Sequence, residues 1–253
     1  METPIAELKA IANSQPYPLL FATISGAHLY GFPSQNSDYD LRGCHILPVT
    51  EVVGLNPPCE TIEISETKTN LELDLVTHEL KKFLLLLLKR NGYVLEQLYS
   101  PLVVKTTPEH QQLKEVAVGC ITRHHRHHYI GFARSQRRLF DKSSVKKIKP
   151  LLYIYRVLLT GIYLMKTGIV EANLVTLNQN FKISYLDNLI AIKTEGKEES
   201  TLENKRIDFF RQECDRLEAE LEDASVNTHL PESPSAATKA RLNDLLIQIR
   251  LDQ

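Results

Sequence analysis

Neither sign of charge prevails in this chain. Its 30 lysines and arginines stand against 31 aspartates and glutamates, which excludes a polycation held to nucleic acid or an anionic membrane by bulk charge. Cysteine is scarce. Cys44, Cys59, Cys120 and Cys214 are too far apart for a Cys-x-x-Cys pair or a disulfide framework, so they read as buried thiols in a reducing compartment. Long apolar runs are lacking as well: Phe83–Leu88 falls well short of the ~20 residues that span a bilayer. The first residues carry neither the basic start nor the apolar centre of a signal peptide. A cytoplasmic protein without membrane association is expected. Repeats and low-complexity tracts are absent, and the 43% of apolar residues suffices for the core of one large domain or two modest ones.

Against this even background one stretch stands out, Ile24-Ser25-Gly26-Ala27-His28-Leu29-Tyr30-Gly31, followed by Ser37-Asp38-Tyr39-Asp40-Leu41-Arg42-Gly43. The apolar run Leu19–Ile24 before it reads as a short buried strand. A glycine at a strand-to-helix turn lets backbone N–H groups approach a phosphate closely. Asp38 and Asp40, spaced Asp-x-Asp on an extended strand, point to one side because strand side chains alternate. Two close anions are costly unless a cation lies between them, and a divalent metal is the usual one. Asn-Ser-Asp is also a good turn sequence, so the aspartates alone would be a weak signal. Joined to the glycine turn and to Arg42-Gly43, they point to nucleotide chemistry.

These residues resemble the DNA polymerase β-type nucleotidyltransferase superfamily, and more closely its RNA-ligase-associated (RlaP, YcgL-like) branch. The specific motif covers Ser25–Gly43. The resemblance implies transfer of an NMP from an NTP to a hydroxyl acceptor, most plausibly on RNA, with two Mg²⁺ or Mn²⁺ ions held by three carboxylates. In Leu71-Glu72-Leu73-Asp74-Leu75-Val76 acidic and apolar residues alternate, and Glu72 and Asp74 share a face. Periodicity leaves both open, and the resemblance favours Asp74 as the third ligand. Catalytic and metal-binding residues are therefore expected at Asp38, Asp40 and Asp74. Nucleotide contacts are expected from Ser25, Gly26, Ala27, His28, Ser37, Arg42 and Arg156. The superfamily's serine after the first glycine is Ala27 here, so its hydroxyl contact must come from Ser25 or His28 or be missing. Two other readings follow: an enzyme that nucleotidylates a protein side chain, and an inactive nucleotide- or RNA-binding scaffold. The retained acids argue against the scaffold.

The expected fold is α+β: a mixed-sheet nucleotidyltransferase core over residues 1–105, then an all-helical substrate-binding domain over 106–253. Helices are predicted at Glu2–Asn13, at His78–Lys89 with leucines on every side and hence burial between layers, and at Tyr93–Tyr99. Longer ones are predicted at Glu109–Phe140, Val145–Thr167 (stopped by Gly168), Leu202–Glu222 and Pro234–Leu251. Gly54–Lys68, with Pro57-Pro58, reads as a loop or edge hairpin. Thr194–Ser200 and Asn227–Ser235 read as connections.

Charge is unevenly placed along the helical half. Between Arg123 and Lys149 nine lysines and arginines stand against Asp141 alone, and acids prevail from Glu195 to Asp223. Tyr129, Phe132 and Phe140 interleave the basic block, a mixture suited to phosphates and bases, so Arg134, Arg137, Arg138, Lys146 and Lys147 are the expected nucleic-acid contacts. The bland alternative is a solvated helix face. Arg156 stands in an apolar helix, where a charge needs a partner: either a structural contact or triphosphate. His124 and His128 have the i, i+4 spacing of a metal pair, but the neighbouring arginines would repel a cation, so a polar face is expected. Tyr30 is expected to pack, His28 and Arg42 to face the chemistry, and Arg42 to pair with the acids or with phosphate.

Overall fold

In the computed structural model, which describes residues 4–56, 59–68, 71–196, 201–202 and 206–252, the apolar run after the first helix becomes a strand buried at all six positions. In chain order the elements are α1 (Ile5–Asn13), β1 (Leu19–Ile24), α2 (Gly26–Tyr30), β2 (Tyr39–His45), α3 (Val49–Val52), β3 (Thr61–Lys68), β4 (Leu71–Glu79), α4 (Leu80–Leu88), α5 (Gly92–Tyr99), β5 (Val103–Thr106) and α6 (Pro108–Ala117). Then follow α7 (Arg126–Lys142), α8 (Ile148–Thr167), α9 (Leu174–Phe181), α10 (Leu186–Glu195), α11 (Ile207–Val226) and α12 (Ala236–Leu251). The strands form one mixed sheet in the order β3-β4-β2-β1-β5. β2 and β4 run parallel, while the other neighbours are antiparallel. The fold is α+β with a helical C-terminal part, as expected.

Two compact units divide the chain. One takes residues up to Gly26, Asp38–Ile121 and the chain from Ser233 onward; the other takes Ala27–Ser37 and Thr122–Glu232. A single cut after residue 105 does not reproduce them, because α6 and α12 join the sheet's unit and an eleven-residue piece of the motif joins the helical one.

Strand alternation decides what lies on each face of the sheet. Ala22, Ile24, Leu41, Leu73 and Leu75 form an apolar cluster with Leu8 and Ala12 of α1 and with Val104 of β5. The intervening residues face α4, α5 and α6: Phe21 meets Phe83 edge-on at 5.4 Å and stacks on His110 at 4.4 Å, and Thr23 donates to the Gln97 carbonyl. Residues 40, 42 and 74 have the same parity on this second face, so the polar side chains of the motif turn towards α5.

Several boundaries differ from the predicted ones. β4 runs on to Glu79, whose carboxylate accepts from the Lys81 and Lys82 amides and caps α4, so His78 belongs to a strand. α4 buries only Leu80, Phe83, Leu84 and Leu87, with Leu85 44% exposed; it is amphipathic rather than enclosed by layers. Asn91 caps α5, and Arg90 before it takes positive φ. The helix predicted over Glu109–Phe140 is broken by two 3-10 turns, Val118–Cys120 and Arg123–His125, where the Thr122 amide bonds to the His125 ring. Gly168 does end α8, at φ +74°. β3 realises the edge-hairpin reading of 54–68 by pairing with β4, whereas Pro57, Pro58 and residues 197–200 of the predicted linker lie outside the described residues. β5 was not foreseen.

In the helical unit α8 is the core element, packed by α7, α9, α10 and α11. By length and composition it is apolar enough to cross a membrane, yet 78% of its most apolar stretch is buried inside the protein. Cys44, Cys120 and Cys214 are buried free thiols, but Cys59 is exposed.

Candidate active site

The parallel pairing of β2 with β4 sets Asp40 opposite Asp74. Arg42, two residues along β2 and so on the same face, reaches back to both: its Nη2 donates to Asp40 Oδ1 at 2.7 Å and to Asp74 Oδ2 at 2.8 Å. Nη1 donates to the carbonyls of Leu41 and Asp74, and Nε to Tyr93 Oη of α5 at 2.8 Å. Burial pulls the guanidinium pKa down, but Tyr93, Asp40 and Asp74 outweigh it and hold it above its usual range. Arg42 therefore pairs with the acids.

The glycine turn closes on the same carboxylate. The Ser25 amide donates to the Asp40 carbonyl at 2.8 Å. Gly26 has φ +61°, and a Cβ built there would lie 1.7 Å from Asp40 Oδ2, so glycine is required by conformation and by space. Ser25 Oγ is buried and has no hydrogen-bond partner among the described residues, a costly state for a hydroxyl. Asp38 is exposed and immediately precedes β2.

Among the described residues, no three His, Cys, Asp or Glu side chains are gathered so as to hold a metal ion. Asp40 and Asp74 are brought together and Asp38 does not complete the group. The pair nevertheless suits a hard divalent cation: both donors are carboxylates, the ligands of Mg²⁺ and Mn²⁺, and an oxygen of each already converges on one cationic nitrogen. Glu72, the alternative to Asp74, is exposed and registers elsewhere, opposite Thr67 of β3.

The middle of the motif belongs to the helical unit. There Ala27 is buried, and His28 Nε2 lies 3.4 Å from the Ser37 carbonyl. Ser37 Oγ accepts from the Ser34 amide at 2.9 Å. Lys193 of α10, fully buried, donates to Ser34 Oγ at 3.0 Å and to Ser37 Oγ at 3.4 Å. Sequence reasoning missed Lys193, although Leu186, Leu189, Ile190 and position 193 form one apolar stripe on which a lysine is out of place. Arg156, also buried, lays its guanidinium 3.9 Å from the centre of the Tyr30 ring. Tyr30 packs edge-on against Tyr153 at 5.5 Å. Burial, with Arg156 next, pulls His128 down to about 4.

The basic block has acidic partners of its own. Arg126 pairs with Glu222, Arg134 with Glu218, and Arg137 with Asp215, while Arg211 of α11 answers Asp141 of α7 at 2.9 Å. The opposite charge biases of the two sequence blocks become one ion-pair ladder between α7 and α11. Lys146 Nζ donates to the carbonyls of Phe140, Asp141 and Ser143 and caps the end of α7. Lys147 precedes α8 as its cap residue, and Arg138 is exposed. His124 sits in a 3-10 turn bonded to Glu232 at 2.7 Å, so it does not share an α-helical face with His128.

Comparison with known proteins adds the family. The pattern of the family described as RlaP, RNA repair pathway DNA polymerase beta family, matches residues 1–248. The chain is 31% identical over 231 residues to protein MJ0002 of Methanocaldococcus jannaschii, covering 89% of this chain and 92% of that one. It is 31% identical over 228 residues to YcgL of Bacillus subtilis, covering 86% and 84%. A solved nucleotidyltransferase-like protein from Exiguobacterium sibiricum aligns over 98% of this chain and 77% of its own, at a TM-score of 0.32 and 11% identity.

Proposed function

The chain belongs to the RlaP, RNA repair pathway DNA polymerase beta, family, and from that premise we propose that it is a metal-dependent nucleotidyltransferase moving an NMP from an NTP to a hydroxyl of RNA. One observation carries the reading: Asp40 and Asp74 face each other across parallel strands beside a glycine turn that only glycine can make. Asp40 and Asp74, with Asp38 two residues before Asp40, would hold Mg²⁺ or Mn²⁺. Bound there, the metal would lower the pKa of the attacking hydroxyl and neutralise charge on the phosphates.

The chain's own residues supply positioning. The backbone of the Ser25–Gly26 turn takes phosphate oxygens, and Ser25 Oγ, which has no partner among the described residues, replaces the hydroxyl that Ala27 lacks. His28, Ser37 and Arg156 remain nucleotide contacts in this proposal. The acceptor oxygen bonds to the α-phosphorus and loses its proton while the bond to pyrophosphate breaks, an in-line displacement promoted by orientation and charge. The active protein works in the cytoplasm, consistent with its free thiols.

The RNA acceptor is supported by the family's description and by the basic residues in and just after α7, with Arg134, Arg137, Arg138, Lys146 and Lys147 as its contacts, of which Arg134 and Arg138 are exposed. The ion-pair ladder favours a second reading, a protein side chain as acceptor, because Arg134 and Arg137 already have acidic partners. Each α-³²P-labelled NTP, incubated with protein, Mg²⁺ or Mn²⁺ and total RNA, separates them. Label on RNA is expected; label on protein selects the second reading, and no label anywhere refutes transfer.

A further inference from the structure

A guanidinium has five N–H donors, and all five of Arg42 are taken up within the strand unit, two by the carboxylates and three by Tyr93 and backbone carbonyls. Arg42 is buried. Leaving its place would break the three bonds that do not involve the carboxylates, and would strand their partners. It is a fixed part of the site rather than a swinging arm.

The electrostatic consequence is specific. Two carboxylates this close normally need a cation, and in a metal site the metal is that cation. Here the need is met in advance: Asp40, Asp74 and Arg42 together carry one negative charge, and the positive one lies within 2.8 Å of both acids. A free divalent ion approaching the pair meets a guanidinium already there. A nucleoside triphosphate brings several negative charges and restores the attraction.

We propose that Arg42 is a resident counter-ion that keeps the Asp40–Asp74 pair from retaining divalent metal until nucleotide supplies the missing negative charge. The proposal rests on the reading of Asp40 and Asp74 as metal ligands. It makes nucleotide-free protein a poor metal binder, so the ions arrive with the triphosphate.

Equilibrium dialysis against Mn²⁺, with bound ion measured by electron paramagnetic resonance after acid release, tests it without reference to turnover. Wild-type protein should retain almost no Mn²⁺ alone and gain it with the four α,β-imido nucleoside triphosphates. Arg42→Gln should bind Mn²⁺ alone at least about tenfold more tightly, since a unit charge at this distance acts strongly on a divalent ion. Adding Asp40→Asn should abolish the gain. Wild-type protein that binds Mn²⁺ alone as tightly as Arg42→Gln overturns the counter-ion and leaves the metal reading standing. Failure of both proteins to retain Mn²⁺ beyond the nucleotide's own share, with any analogue, overturns the metal reading and the proposal with it. Should Arg42→Gln not fold by circular dichroism, Tyr93→Phe decides: it removes the Nε acceptor, and a gain smaller but of the same sign is expected, whereas no gain refutes the proposal.

Discussion

Gly26 lies against Asp40 so closely that a single methyl group would occupy the place of the carboxylate: a Cβ there would sit 1.7 Å from Oδ2 and 2.7 Å from Cγ. The turn and the acid are therefore one structural unit. Whatever moves one moves the other.

Gly26→Ala should consequently lose both stability and transfer. Positive φ alone costs an alanine roughly 1–2 kcal/mol, and displacement of a strand-held carboxylate adds to that. Urea unfolding should show the loss. Combining Gly26→Ala with Asp40→Ala should recover part of the stability by making room, while transfer stays absent; full recovery of transfer would mean that Asp40 is not a ligand.

The strand register separates two neighbouring acids. Asp74→Asn is expected to lower NMP transfer by orders of magnitude and Glu72→Gln to lower it little, since only position 74 registers with Asp40. Asp40→Asn should also abolish transfer with the fold retained, as judged by circular dichroism. The reverse ranking of Asp74 and Glu72 in a label-transfer assay would displace the site from the face that Arg42 joins.

What could be read of this arrangement has local signals: the glycine after an apolar run and the alternation around Asp40 and Asp74 depend on neighbours in sequence, whereas Asp38, expected on the same strand, precedes β2. The partners of Arg42 were not readable: Tyr93 is 51 residues away, and nothing near either residue announces the bond. The acidic partners of the basic block were hidden for the same reason, since the acids that answer Arg134 and Arg137 lie 84 and 78 residues on. β5 escaped because four residues after a proline carry too little pattern to reveal a strand. Lys193 was the exception, a long-range feature with a local sign in its apolar stripe.

In the strand unit, α12 is tied to the sheet by an ion pair of Arg250 with Glu79, both buried, and Arg250 also donates to the Leu47 carbonyl. Arg250→Met should cost about 3–5 kcal/mol, because it leaves a buried carboxylate without its cation. Glu79→Gln paired with Arg250→Met should cost clearly less. A double variant as unstable as the single one, in urea unfolding, would show that packing and not charge carries the effect.

The ladder between α7 and α11 offers a test of the acceptor. In the RNA-acceptor proposal Glu218 and Asp215 would compete with phosphates for Arg134 and Arg137, and exposed ion pairs of this kind are worth about 0–1 kcal/mol. Glu218→Gln with Asp215→Asn should therefore tighten RNA binding and steepen its salt dependence, at little cost in stability. Replacing Arg134, Arg137 and Arg138 with glutamine should do the opposite, lowering the log–log slope by roughly one unit for each phosphate no longer held. Unchanged slopes in filter binding would reduce α7 to a structural helix.

Acid should weaken the protein through its histidines. Burial pulls His45, His110 and His128 each down to about 4, from an ordinary value near 6.5. Between those values the unfolded chain binds protons that the native protein does not, so unfolding takes protons up and stability falls as pH drops from about 6.5 towards 4. The urea midpoint should decline over that window, and His128→Gln should flatten the decline. A midpoint independent of pH between 7 and 4.5 would show that these imidazoles protonate in the native protein.

The two units also fix the order in which the protein can be finished. The sheet's unit opens the chain yet takes in residues from Ser233 onward, and the helical unit begins with Ala27–Ser37, eleven residues that precede most of the strands. A ribosome therefore cannot complete the sheet's unit before it has made the helical one: α12, with its buried Arg250, emerges after α7–α11. Until then the carboxylate of Glu79 waits at the head of α4 without its cation. The nascent chain should stay protease-sensitive in its strands until α12 has been synthesised, by which point every residue of the helical unit has been made.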